Sequence, residues 1–146
     1  MEKNRVVIEF EALPENQAFA RAVAAAFCAA ADPTMEELTE IKTAVSEAVS
    51  NAVIHAYDRK GTGRITMEMK WLDPDKVFIS VTDYGKGISD IEKAREPMFS
   101  TREDQEMSGM GFTVMESFAD KVFVESEPEK GTTVTLIKYL DTYYGL

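Results

Sequence analysis

The hydrophobic pattern of the chain switches between the two periods of strand and helix. "RVVIEF" (5–10) has the β-branched character of a strand. Pro14 suits the first turn of a helix, and Phe19, Val23, Phe27 and Ala30 then recur at helical spacing. The other face of this helix is mostly Ala and is expected to offer close packing to a partner helix. "DPT" (32–34) stops it, and Thr34 with Glu37 three residues later forms a capping-box signature for a second helix. That helix is predicted to run to about Tyr57, with Leu38, Ile41, Val45, Ala48, Val49 and Ala52 as its apolar face.

After the turn "DRKGTGR" (58–64), Ile65, Met67, Met69 and Trp71 alternate with Thr66, Glu68 and Lys70, the mark of a half-buried strand. "DPD" (73–75) turns the chain into a second alternating strand, "KVFISVTD" (76–83), so a hairpin is predicted. A short helix near Asp90–Glu96 ends before Pro97, and residues 98–111 lack periodicity and read as a flexible loop. "FTVMESFAD" (112–120) reads as a helix, and "KVFVES" and "TTVTLIKYL" as two closing strands around "EPEKG". Strands grouped in hairpin-like pairs imply an α+β, two-layer α/β sandwich rather than a doubly wound parallel fold. With no repeat or linker, residues 1–146 are expected to form a single domain.

Charge narrows the function. A net charge of −10 argues against direct nucleic-acid binding, which needs excess Lys and Arg, and suits a basic protein partner. The single cysteine, Cys28, excludes an internal disulfide and fits a small apolar filler. Its apolar run, Ala22–Ala31, is far short of the roughly 20 residues of a membrane span and has no basic flank, so a cytoplasmic protein without membrane attachment is expected.

The candidate chemistry lies in four places. In "SEAVSNAVIHAY" (46–57), Glu47, Asn51 and His55 are four residues apart, and each such step turns about 40°, so they form one slanting polar stripe. The Ala and Val around them imply cover on several sides, where a carboxylate and a carboxamide need partners that Mg²⁺ and phosphate would supply. His55 fits either a phosphoacceptor or a hydrogen-bonded helix-end residue. "DYGKG" (83–87) fits either an ordinary Gly-rich turn or a turn whose backbone approaches a flat ligand. "SGMGF" (108–112) brings glycines into a helix N-terminus, where backbone N–H groups and the dipole favour an anion. "KGTTV" (130–134) fits a hairpin turn, or a place where Thr133 presents its hydroxyl beside the Asp83 strand end.

The order E-x-x-x-N, D-x-G-x-G, G-x-G, G-T-T resembles the adenine-nucleotide site of the superfamily shared by gyrase, Hsp90, histidine kinases and MutL. Within it, "FAR" (19–21), "DPTMEELTEIKTAVSEAVSNAVIHAY" (32–57), "SGMGFTVMESFAD" (108–120) and "KGTTV" resemble the bacterial anti-sigma serine kinases of sporulation, the anti-sigma F type, over about residues 5–140. The resemblance implies a Bergerat-type ATP-binding fold, a mixed and mostly antiparallel sheet covered on one face by helices. It implies ATP and Mg²⁺, with Asn51 holding the metal, Glu47 taking the proton of an attacking serine hydroxyl, and Asp83 accepting the adenine amino group with Thr133 in support. Gly85 and Gly87 would let the backbone close on the base. Residues 98–111 would form a lid whose Ser108, Gly109, Met110 and Gly111 contact phosphates. The implied partners are a sigma factor of the F type, an anti-anti-sigma protein phosphorylated on serine, and a second copy of the chain in a homodimer, with Arg21 at the partner contact.

Two positions depart from the family pattern. Met107 stands where the family lid has an arginine that supports the γ-phosphate, so either Arg102 takes over or transfer weakens. Ala56 stands where glycine often follows the histidine. Two rivals are a nucleotide-gated sigma-binding module with little kinase activity and a histidine-kinase-like ATPase domain detached from its phosphoacceptor helices.

Overall fold

The computed structural model of the chain describes residues 2–57, 63–72, 75–88, 90, 95 and 111–140. The elements run β1 (Glu2–Glu11), α1 (Glu15–Ala29), α2 (Met35–Asn51), a π-helical turn (Ala52–Ala56), β2 (Arg64–Leu72), β3 (Lys76–Asp83), α3 (Gly111–Phe118), β4 (Lys121–Glu127) and β5 (Gly131–Tyr139). The strands form one sheet in the order β1-β2-β3-β5-β4, every neighbouring pair antiparallel. The expected α+β sandwich is present. Most of the stretch 90–96, where a short helix is predicted, and most of the loop 98–111 lie outside the described residues.

Alternation builds the core side of the sheet. Ile65, Met67 and Met69 on β2 are fully buried, and their cross-strand partners Asp83, Val81 and Ile79 on β3 share that face. Val134 and Leu136 on β5 and Val122 on β4 extend it. All three helices lie over this side, with α2 in the middle touching α1 and α3. The Thr34–Glu37 capping box is formed in both directions, the Glu37 N–H donating to Thr34 Oγ1 at 3.0 Å and the Thr34 N–H to Glu37 Oε1 at 2.8 Å. Behind it, Ile41, Ala44, Val45, Ala48, Val49 and Ala52 are buried, while Leu38 is half-buried.

Two helix expectations are corrected. The Ala face of α1 does find a partner helix, but within the chain: Ala20, Ala24 and Cys28 are fully buried and α1 packs on α2. Small residues let the two helices approach, and burial pushes the Cys28 thiol up to about 12, so it is an inert filler. The Phe face instead lies along the sheet margin, with Phe27 5.4 Å from Trp71 and Phe19, half exposed, edge-on to Phe10. The second correction concerns α2, which does not stay α-helical to Tyr57 but passes into the π-helical turn directly after Asn51. Such wide turns insert at functional sites more often than elsewhere in helices.

Candidate functional site

Asp83 ends β3 on the helix-covered side of the sheet, only 7% exposed. Its Oδ1 accepts two backbone N–H groups, from Gly85 at 3.1 Å and from Thr132 at 3.2 Å. Burial raises the carboxyl pKa above its ordinary 3.8, and these two bonds hold it back in part. Both bonds fall on one oxygen, Oδ1.

Register decides which threonine stands beside this carboxylate. Asp83 pairs directly with Thr132, so these two side chains share a face, and Thr133 points to the other one. The Thr133 hydroxyl lies 3.0 Å from that of Thr82 on the uncovered side. The expectation for Thr133 is therefore corrected to Thr132. The Thr132 hydroxyl is 2.7 Å from Ser126 Oγ, which donates to the Gly131 carbonyl and accepts the Ile88 N–H at 2.7 Å.

The glycines of the turn serve the chain's own packing. A Cβ on Gly85 would lie 2.4 Å from the Ala56 carbonyl oxygen, and one on Gly87 2.1 Å from that of Glu127. Gly87 also has φ +75°, a conformation costly for other residues. Their missing side chains thus let the turn pack tightly between the end of the π-helical turn and the β4–β5 hairpin. Tyr57 adds a second lock, its hydroxyl donating to the Arg64 carbonyl at 2.8 Å and accepting the Tyr84 N–H at 2.7 Å. Neither Tyr57 nor Ser126 carries a motif signal; the strand register alone could have pointed to Ser126.

On α2, Glu47 and Asn51 are half-buried, one turn apart. Burial raises the Glu47 carboxyl pKa above its ordinary 4.5, which makes it a stronger base than an exposed glutamate. Asn51 is the last α-helical residue, and Gly111, the first of α3, lies against it. A Cβ on Gly111 would stand 2.9 Å from Asn51 Oδ1 and 3.0 Å from Nδ2. A metal-binding type of side chain therefore adjoins the N-terminal end of a helix, where backbone N–H groups favour phosphate. Ser108, Gly109, Met110, Met107 and Arg102 lie outside the described residues. No group of three His, Cys, Asp or Glu suited to a metal occurs among the described residues.

Arg21 is exposed on α1, its Nη1 3.3 Å from Ser46 Oγ, and Gln17 donates to the Ser46 carbonyl at 2.9 Å. It stands beside the α2 segment that carries Glu47, not among the nucleotide-site residues. His55 sits in the π-helical turn, half-buried and engaged. Among the described residues, no helix is long and apolar enough to cross a membrane.

Residues 10–138 match the model of the histidine kinase-like ATPase domain family. The chain is 51% identical over 138 residues to the anti-sigma F factor of Bacillus licheniformis, covering 94% of each chain. It is 50% identical to that of Bacillus subtilis (strain 168), again over 94% of each, and 51% identical to that of Clostridium botulinum (strain Eklund 17B / Type B), over 94% of this chain and 96% of the relative. Among solved structures, the RsbU and RsbW domains of Rv1364c from Mycobacterium tuberculosis superpose with a TM-score of 0.70 at 22% identity, over 94% of this chain and 33% of that longer one. The catalytic domain of histidine kinase ThkA superposes with a TM-score of 0.59 at 19% identity, over 92% of this chain and 96% of that one.

Proposed function

Because the chain belongs to the histidine kinase-like ATPase family and, within it, to the anti-sigma F factors, we propose that it sequesters a sporulation sigma factor of the F type and phosphorylates a serine of that factor's anti-anti-sigma antagonist. ATP binding follows from the family, and the ATP binds together with Mg²⁺. The observation that supports the reading best is Glu47, a partly desolvated carboxylate one helical turn, about 6 Å along the axis, before an asparagine that adjoins the N-terminus of α3.

Asp83 accepts the adenine amino group on Oδ2 while its Oδ1 stays tied to the backbone, and Thr132 supports the same edge. The Asn51 carboxamide oxygen would hold the metal, and the first N–H groups of α3 would meet the phosphates at Gly111, where the family resemblance also puts Ser108, Gly109 and Met110. Bound Mg–ATP supplies the transferable phosphoryl group and the divalent charge that offsets its oxygens. Glu47 takes the proton from the serine hydroxyl as its oxygen bonds to the γ-phosphorus and the bond from that phosphorus to the departing ADP breaks, so the raised Glu47 pKa serves the step by increasing its basicity. Arg21, exposed on α1 in a chain of net charge −10, offers a carboxylate-binding group to the protein partners. The chain acts in the cytoplasm as a homodimer, without direct nucleic-acid contact.

Met107, in place of the family's lid arginine, favours a second reading in which nucleotide gates sigma binding with little transfer. A capture assay tests the sequestering role common to both. With Mg–ATP the chain retains the F-type sigma factor, and unphosphorylated antagonist releases it. Sigma binding that ignores nucleotide and antagonist alike would overturn the proposal.

A further inference from the structure

Ser126, Thr132 and Asp83 stand in one row across β4, β5 and β3, paired directly by register and therefore on the same side of the sheet. Thr132 and Asp83 are only 8% and 7% exposed, so the polar atoms of this row need partners within the chain or in a ligand. The β4–β5 hairpin is strapped to the turn that follows β3. The Glu129 N–H donates to the Lys86 carbonyl at 2.7 Å, and the Lys130 N–H to the Glu127 carbonyl at 3.0 Å. Gly131 has φ +117°, and a Cβ there would lie 2.2 Å from the Asp83 carbonyl oxygen, so the hairpin sits directly on the end of β3.

Three groups meet Ser126 Oγ, and counting protons fixes the direction of each bond. The Ile88 N–H, 2.7 Å away, can only donate. The Gly131 carbonyl, at 3.0 Å, can only accept. The Thr132 hydroxyl, at 2.7 Å, can do either. A serine hydroxyl has one proton and two lone pairs. The Ser126 proton goes to Gly131, one lone pair takes the Ile88 N–H, and the second lone pair is left for Thr132. The proton of that last bond therefore comes from Thr132. The reverse direction would set the Ser126 and Gly131 oxygens against each other at 3.0 Å with no proton between them. Thr132 has no second proton to give, so toward any further group its hydroxyl can only accept. The Asp83 carboxylate beside it is likewise an acceptor alone when ionised.

We propose that Ser126 is a positioning residue for the nucleotide base: by taking the Thr132 proton it makes Thr132 and Asp83 a pair of acceptors, which selects a purine with a 6-amino group against one with a 6-oxo group. The proposal rests on the adenine site proposed above and names the residue that sets its selectivity. An amino group brings two protons to two acceptors. A 6-oxo group brings only lone pairs, and a site whose buried polar groups are left unpaired rejects such a ligand strongly. Ser126 acts on the base only through the Thr132 hydroxyl. Without Ser126 Oγ that hydroxyl turns, donating to a 6-oxo oxygen or still accepting from a 6-amino group.

Titration calorimetry on the full chain with Mg–ATP and with Mg–ITP, which carries oxygen in place of the 6-amino group, tests this role. The quantity read is the ratio of the two affinities, because loosening of the turn at the freed Ile88 N–H lowers both alike. The parent is expected to prefer ATP, and Ser126→Ala to narrow that preference about tenfold, the worth of one hydrogen bond. Thr132→Val removes the hydroxyl while keeping the shape of the side chain. In that background, adding Ser126→Ala is expected to leave the ratio unchanged, since no hydroxyl remains to be oriented. A parent without preference for ATP over ITP would overturn the proposal. So would a Ser126→Ala variant that keeps the parent ratio, or one that narrows it equally with Thr132→Val present; in each of these cases ATP binding itself stands. A parent that binds neither nucleotide would overturn the adenine site on which the proposal rests.

Discussion

Replacing Asp83 by asparagine separates what this carboxylate does for the ligand from what it does to the fold. In the structure Oδ1 receives the N–H groups of Gly85 and Thr132, and an asparagine oxygen in that place keeps both bonds. The change falls on the other atom, where an acceptor oxygen becomes an NH₂ donor, which in the proposed site would meet the donor amino group of adenine. Losing a hydrogen bond to a charged acceptor costs about 1.5–3 kcal/mol, so ATP affinity should fall about 10- to 150-fold. Stability should move the opposite way. Burial raises the Asp83 pKa, so the folded chain holds this proton more tightly than the unfolded chain does. Stability therefore falls as pH rises from the ordinary carboxyl value through the raised one, and the full penalty remains at neutral pH. Asparagine carries no such penalty. Titration calorimetry should show weakened ATP binding, and urea unfolding of the ligand-free chain at pH 7 should show a higher midpoint than the parent. Unchanged affinity, or a lower midpoint with the same slope, would refute the reasoning.

Glu47→Gln should leave ATP affinity intact while serine phosphorylation falls about 10²–10⁴-fold. In the parent, the rate should decline on acidification with a midpoint above the ordinary 4.5 of glutamate, because burial raises the Glu47 pKa and the base must be deprotonated, and a pH–rate profile checks this. Thr132→Ala should weaken ATP binding and Thr133→Ala should not, since only Thr132 shares a face with Asp83; calorimetry on the pair decides it. If Met107 has removed a γ-phosphate contact, Met107→Arg should speed transfer; if Arg102 already supplies that charge, Arg102→Ala should cripple it instead, as single-turnover rates would show. Arg21→Ala should weaken binding of the sigma factor or its antagonist in a capture assay and leave ATP affinity unchanged.

Much of the architecture was legible because local chemistry and burial agree. The Thr34–Glu37 box announces its helix, and the alternation of Ile65, Met67 and Met69 announces a strand with one covered face. Glu47 and Asn51 stood out as polar residues in an Ala- and Val-rich helix, and both lie half-buried. Three features escaped for reasons specific to their residues. "GTTV" contains two adjacent threonines, and a period of two puts them on opposite faces, so cross-strand register had to choose Thr132. The wide turn after Asn51 runs through "AVIHA", whose apolar residues fit several helical periods equally well. On α1 the Ala face signals a close helix neighbour without saying which; Ala20, Ala24 and Cys28 are buried against α2 of the same chain, where close approach favours small side chains.

The central claim is transfer of phosphate to serine. The direct test incubates the chain with Mg²⁺, ATP labelled on its γ-phosphate and the anti-anti-sigma protein, then asks which residue carries the label. Acid-stable phosphoserine is expected on the antagonist, abolished by Glu47→Gln. Label found instead as acid-labile phosphohistidine on His55, the single histidine of the chain, or no label on the antagonist at all, would contradict it.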